Sequence, residues 1–391
     1  MSVDTRVSRA TRHTVGFDTE TCVAAEVNKR VRDHAEVIVD HSTDVQPGDD
    51  VVIRAGGGTE PLVTALHEKL GERNANPLVV SRSGRASRAF SLAADPEALE
   101  IPEHTLALME AADVVIGVRG SANQHESADV PPDRQVALEK RRKPVQEAVL
   151  DTRWVGTQFP HPGTAQKAEM STPAYEAFVY DAVTMDWAAQ SAFQRQLVEI
   201  LDPAEAVRIV SGETTDIRLS VDGTITVNDD ARNNLPGGEV FTAPVPDSVE
   251  GTVLFDEPVI TRGREVTGAR LTFTDGEVTA FEAERNEDAL AATLEADAGA
   301  SRLGELGIGM NREIDRFTYN MLFDEKMGDT VHLALGRAYE KNVPEDSPVE
   351  RNESSIHLDM IVDMSEDSRI EVDGEVVQRN GMFRFEDGFE G

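Results

Sequence analysis

The chain has 391 residues, 39% of them hydrophobic, and a formal net charge of −34 from 72 acidic and 38 basic side chains. A field of that sign repels nucleic acid and anionic lipid, which need clustered Lys and Arg, and no apolar run approaches the roughly 18 residues that would span a bilayer. The acids are scattered along the chain and only seven of the bases are Lys, a balance that suits a halophile's solvated surface better than one built to attract a cationic partner.

Residues 1–25 contain no continuous apolar stretch of the kind a secretory signal needs, and read as an N-terminal extension. The lone Cys22 excludes an intrachain disulfide or a cysteine-based zinc site, and the expected compartment is the cytoplasm. Over 27–39 the spacing of Val27, Val31, Ala35 and Ile38 predicts an amphipathic helix. Apolar strands follow at 51–54, 78–80 and 114–118, interleaved with helices at 62–70 and 102–112. That alternation predicts a parallel, doubly wound α/β domain over 26–204. The Gly56, Gly57, Gly58 run is read as a tight strand-to-helix turn, because neither G-x-G-x-x-G nor a following Gly-Lys-Ser/Thr is present. The charged stretch 119–142 reads as a loop, with His125 solvated, leading into a helix, and 172–200 reads as helical with Pro173 in its first turn.

Beyond Asp202 the texture changes. Alternating β-branched residues predict strands at 207–210, 216–221, 251–255 and 265–273, and the Asp-Gly pairs of 274–276 and 372–374 signal hairpins. With a helix at 286–298, residues 205–391 read as a strand-rich α+β domain, joined to the first near 200–205 as a separable unit.

Chemistry concentrates in this second half. Of nine histidines, only His332 and His357 lie beyond residue 161, and both fall in apolar segments, VHLALG and SSIHLDM. His357 and Asp359 are two apart, so a strand projects both from one face. Glu239 follows two glycines in GGEVFTAP, and Glu305 sits in GELGIG, which reads as a glycine-flanked turn. Three carboxylates and two imidazoles suffice for two divalent ions. Tyr339, seven residues after His332, reads as a donor to a developing oxyanion, a weak metal ligand or a packed aromatic, and Glu325, in the charged run FDEK, reads as a further ligand or a solvated acid.

The segments NLPGGEVFTAPVPDSVEGTV, ASRLGELGIGMNREI, LFDEKMGDTVHLALGRAY and NESSIHLDMIVD resemble, in order, successive motifs of the thermophilic-type metallo-aminopeptidases, the family of aminopeptidases T and S. VQPGDDVVIRAGGGTEPLVTAL, PHPGTAQKAEMS and YDAVTMDW are similar too. The resemblance implies a cytoplasmic homodimer that removes N-terminal residues from peptide substrates with water activated at a pair of metal ions (Zn, Co, Mn or Mg). It implies Glu239, Glu305, His332, His357 and Asp359 as ligands, Glu325 as a further one, and Tyr339 as the active-site tyrosine. Glu239 or Glu305 would bridge the ions or carry a proton. HLD where the family often has HWD, and MGDT where MGGT is commoner, bear on substrate preference. Two alternatives stay open. A two-metal phosphoesterase would need cations near the site, for which only Arg337, Lys326 and Arg351 are close in sequence; a non-enzymatic halophilic binding protein would use its acids for solvation alone.

Overall fold

A computed structural model describes residues 28–120, 123 and 125–390, so the expected extension over 1–25 and Cys22 lie outside the described residues. Four parallel strands, β1 (Asp50–Ala55), β2 (Asn76–Ser81), β3 (Val114–Arg119) and β4 (Arg153–Gln158), form a sheet in the order β2-β1-β3-β4. Both faces of β1 and β3 are covered, as in a doubly wound sheet, whereas β2 is largely exposed. Val51 and Ile53 pack with Val31, Leu62, Leu66 and Tyr175 from helices Lys29–Glu36, Glu60–Arg73 and Thr172–Val183. Val52, one residue out of phase, joins Met109 and Val145 on the opposite face. The strand period of two thus explains why these strands read as unbroken apolar runs.

Several expectations shift in detail. The first helix continues through a π-helical turn, Val37–Ser42. The helix expected over 172–200 is two, Thr172–Val183 and Trp187–Leu201. Within 265–273 there are two strands, Arg264–Val266 and Arg270–Thr274. The helix Gly84–Ala93 and strand β4 had no counterpart in the sequence reading.

The later part of the chain is a stack of two antiparallel sheets. An eight-stranded sheet, with both expected Asp-Gly hairpins in it, packs Ile209, Ile217, Val253 and Leu271 against a five-stranded sheet. That second sheet contains β5 (Val227–Asp229), β6 (Glu239–Thr242), β7 (Leu303–Gly309), β8 (Thr330–Gly336) and β9 (His357–Asp363), in the order β9-β8-β7-β6-β5. Leu306, Ile308, Val331, Leu333 and Met360 face the shared core. The change from parallel to antiparallel pairing falls after Leu201, but the chain crosses back. Asn234–Leu235 adds a fifth parallel strand beside β4, and Ile314, Leu322 and Phe323 join the N-terminal apolar cluster. A boundary at 204/205 marks where sheet type changes rather than where contacts end. Among the described residues, no helix is long and apolar enough to cross a membrane.

Candidate metal centre

The five-stranded sheet gathers the polar residues by register. Paired residues in an antiparallel ladder point to the same face. Glu305 pairs with Ala334, which pairs with Asp359; Gly307 pairs with His332; Gly309 pairs with Glu239; and Gly336 pairs with His357. All five candidate ligands therefore project from the face opposite the apolar core, and the positions between them are small. Gly307 is small by necessity, because a Cβ there would lie 2.0 Å from the His332 ring. Gly238, at φ +113°, lets the chain enter β6 where a Cβ would meet Asn311 at 2.4 Å. Glu305 lies within β7 at a register shift between Leu303 and Glu305, not in the turn expected from its flanking glycines.

The side chains converge. His332 Nε2 is 3.1 Å from Glu305 Oε1 and 3.3 Å from Glu239 Oε2. His357 Nε2 is 3.2 Å from Asp359 Oδ1 and 3.6 Å from Glu305 Oε2. Donor atoms of Glu239, Glu305 and His332 form one group, all within 4.8 Å of one another, and those of Glu305, His357 and Asp359 form a second. Glu305 belongs to both.

These residues fit divalent cations. Glu239 Oε2, Glu305 Oε2 and Asp359 Oδ1 are buried acceptors without a hydrogen-bond donor, a costly state that a cation between them would relieve. His357 donates its Nδ1–H to the Arg337 carbonyl at 2.8 Å, which fixes the ring and leaves Nε2 free as a ligand. Imidazole with carboxylate suits Zn, Co or Mn. Access is from one side: the His332 side chain is 0% exposed, whereas His357 keeps 14% and Asp359 12%.

Without a cation the electrostatics are lopsided. Burial opposes charging of His332, but Glu305 and Glu239 outweigh it and hold the ring's pKa at about 9. His357 behaves alike, held up to about 9 against burial by Asp359 and Glu305. Burial pushes the Glu239 carboxyl up, against the pull of Lys326.

Tyr339 stands at the open side, its ring centroid 4.8 Å from that of His357. Burial, with the charges of Glu305 and Asp359, raises its phenol pKa and keeps it protonated. Glu325 is outside both ligand groups. It follows the short helix Met321–Asp324, is half-buried, and contacts the Lys326 ammonium. Asp229 escaped the sequence reading, and Lys326 entered it only as a cation near the site. Lys326 is fully buried, with Nζ 3.1 Å from Glu239 Oε1 and 3.7 Å from Asp229 Oδ2, so it neutralises the acid-rich side of the cluster. Asp229, on β5, completes that buried network. The FDEK run is therefore largely interior: Asp324 accepts from the Thr318 and Asn320 backbones and its pKa is raised by burial to about 7.

A sequence profile of the thermophilic metalloprotease family matches residues 27–387. Aminopeptidase 2 of Geobacillus stearothermophilus is 26% identical over 415 residues, spanning 92% of this chain and 98% of that protein. Aminopeptidase T of Thermus thermophilus is 30% identical over 284 residues, 63% of this chain and 68% of that one. Among solved structures, wild-type AmpT from Thermus thermophilus matches with a TM-score of 0.80 at 24% identity, covering 91% of this chain and 99% of that one. A 2,5-dihydroxypyridine dioxygenase from Pseudomonas putida matches at 0.58 and 14% identity, over 92% of this chain and 97% of that one. The same architecture thus carries different chemistries, and activity has to be argued from the site.

Proposed function

Because this chain belongs to the thermophilic metalloprotease family and is a metal-dependent aminopeptidase, we propose that Glu239, Glu305, His332, His357 and Asp359 hold two divalent ions with Glu305 shared between them. The observation that carries this reading is the membership of Glu305 in both ligand groups, together with the donorless buried oxygens around it. Its substrates are peptides. Bound ions at such a pair supply Lewis acidity, polarising a carbonyl and lowering the pKa of water.

The chain's own residues do the rest. Glu239 and Glu305 supply the negative charge that a cation pair needs, and Lys326 limits the repulsion between Glu239, Asp229 and Glu325. Tyr339, kept protonated beside His357, donates a hydrogen bond to the carbonyl oxygen as charge builds there. Glu325, whose pKa is raised by burial and whose location is beside the cluster rather than in it, suits a proton carrier from water to the departing amine better than a ligand. All these groups lie within 205–391, which supports reading that span as the catalytic domain and 26–204 as its α/β partner. A cytoplasmic homodimer completes the proposal; light scattering is expected to give twice the 42.6 kDa chain mass.

The phosphoesterase alternative loses two of its three cations, keeping only Arg337, which stands 5.9 Å from the Tyr339 ring centroid. Lys326 is engaged by carboxylates and Arg351 by Glu340 and Glu353. The deciding assay is hydrolysis of an amino-acid anilide and of a peptide with a free amino terminus. Activity lost with chelator, restored by Zn, Co or Mn, and absent on the N-acetylated peptide is the expected pattern. Equal cleavage of the acetylated peptide would contradict an exopeptidase.

A further inference from the structure

We infer that the cleft at the carboxyl ends of the parallel strands is a second ligand site, which takes a small-molecule oxyanion of the phosphate class through Arg54, Arg82 and Arg142. The cleft encloses about 1740 Å³ between the sheet and helix Pro132–Leu150. Its floor lacks side chains: Gly117 on β3 and Gly156 on β4 face it, and a Cβ on either would meet no atom nearer than 3.6 Å. The five metal ligands are not among its lining residues, although Arg119, which is, lies within the charge field of Glu325 beside the cluster.

Charge makes the cleft unlike the rest of the molecule. In a chain with 72 acids and 38 bases, about half of the described arginines find carboxylates, as Arg73 does with Asp40 and Arg208 with Asp216. Arg54, Arg82 and Arg142 form no ion pair among the described residues, although each lines the cleft. Burial lowers the pKa of Arg54, and the charges of Arg82 and Arg142 lower it further. Arg142 is lowered by burial and then by Arg82 and Arg141. Two acids share the lining, Glu126 beside Arg85 and Glu139 near Arg142, and Glu139 offsets the repulsion on Arg142 by less than Arg82 and Arg141 add.

Three arginines that line one cleft without a carboxylate partner among the described residues suit an anion, and their planar forks match tetrahedral oxyanions. A single carboxylate offers one charge to three cations, whereas a phosphate monoester offers close to two, which favours the phosphate class. The position agrees. Strand order reverses between β1 and β3, and the crevice outside the carboxyl ends at such a point is where open α/β sheets take ligands.

The test uses sulfate, a tetrahedral dianion that leaves divalent metal in place, titrated calorimetrically into metal-loaded protein at fixed KCl. Wild type should bind, and Arg142→Gln should weaken binding by about tenfold or more, the effect of one lost charge-assisted hydrogen bond. Arg82→Gln/Arg142→Gln should abolish it. Because repulsion is relieved, the melting temperature of Arg142→Gln without sulfate should equal or exceed that of wild type. Identical heats in wild type and the double variant would overturn the proposal. So would a lowered melting temperature with sulfate binding unchanged, which would make the arginines structural. A third contrary result is no sulfate binding, with the double variant instead erasing a KM preference for a free-carboxylate tripeptide over its amide; the occupant would then be the substrate's own carboxylate.

Discussion

Two five-stranded sheets meet in this molecule, and they use burial differently. In the parallel sheet both faces of β1 carry apolar core, Val51 and Ile53 to one side and Val52 to the other, where packing against helices gives way to the open cleft. In the antiparallel sheet only one face is apolar, and the other holds carboxylates and imidazoles that are just as enclosed; Glu239 is 4% exposed and His332 0%. Low exposure alone does not separate core from site. What separates them is unmatched charge: the partnerless buried atoms against the parallel sheet belong to neutral groups, the Tyr175 hydroxyl and the His34 ring, while the antiparallel sheet holds carboxylate oxygens with no donor.

The largest effect should come from removing the residue common to both ligand groups. Glu305→Gln keeps shape and removes charge, and it should lower kcat/KM by roughly a thousandfold or more, since metal charge stabilisation contributes several kcal/mol. Elemental analysis should show both ions lost or weakened. The comparison breaks if the variant keeps full metal and activity.

A smaller loss should follow a change that touches no ligand. Gly307→Ala would force a methyl into the His332 ring, and displacing one ligand in this way should weaken metal binding by about 10- to 100-fold, as loss of ligand orientation does elsewhere. Normal affinity would mean that the ring has room the sheet does not otherwise provide. A control Ala in place of Gly374, where a Cβ meets nothing but φ is +82°, should cost some stability and leave metal affinity unchanged.

The sheet's legibility divides along the same line. Apolar runs sufficed for β1, β2 and β3, but Arg-Trp-Val-Gly-Thr-Gln in β4 has no such run, because Gly156 and Gln158 face the open cleft. His332 in V-H-L-A-L looks like an ordinary core histidine; its role depends on register with Gly307, which no local pattern reveals. His357 and Asp359 were readable because two residues on one strand share a face whatever the tertiary fold. Glu305 misread as a turn residue because its glycines admit neighbouring strands, Gly304 the Gly336 backbone and Gly307 the His332 ring, rather than reversing the chain. Lys326 was hidden by its charged neighbours, since a run such as FDEK is usually solvated and here folds inward over Asp229 and Glu239.

Removing metal should expose the pH dependence of the antiparallel sheet. In the metal-free protein His332 and His357 hold protons up to about pH 9, above the ordinary histidine value of 6.5, and the Glu239 pKa is raised as well. Groups with raised folded pKa values contribute stability that is complete below the unfolded value and lost as pH rises through the folded one. The metal-free melting temperature should therefore fall between about pH 6.5 and 9, while the loaded form, whose ions replace those protons, should change less. A widening gap between the two curves checks the sign; parallel curves would remove the histidines from the site.

Salt should act mostly outside both sheets. Surface repulsion at −34 is screened within about 3 Å in 1 M salt but reaches about 30 Å at 0.01 M. The melting temperature should rise with KCl at saturating metal, with little change in metal affinity because enclosed charges are screened less. A flat curve would give the scattered acids another role.

The central claim, that Glu305 joins two ions, is tested most directly by anomalous diffraction from crystals grown with zinc or cobalt. Two peaks are expected about 3.5–4 Å apart, one beside Glu239 and His332, the other beside His357 and Asp359, each in contact with a Glu305 oxygen. A single peak, or two peaks of which Glu305 touches only one, would contradict the account.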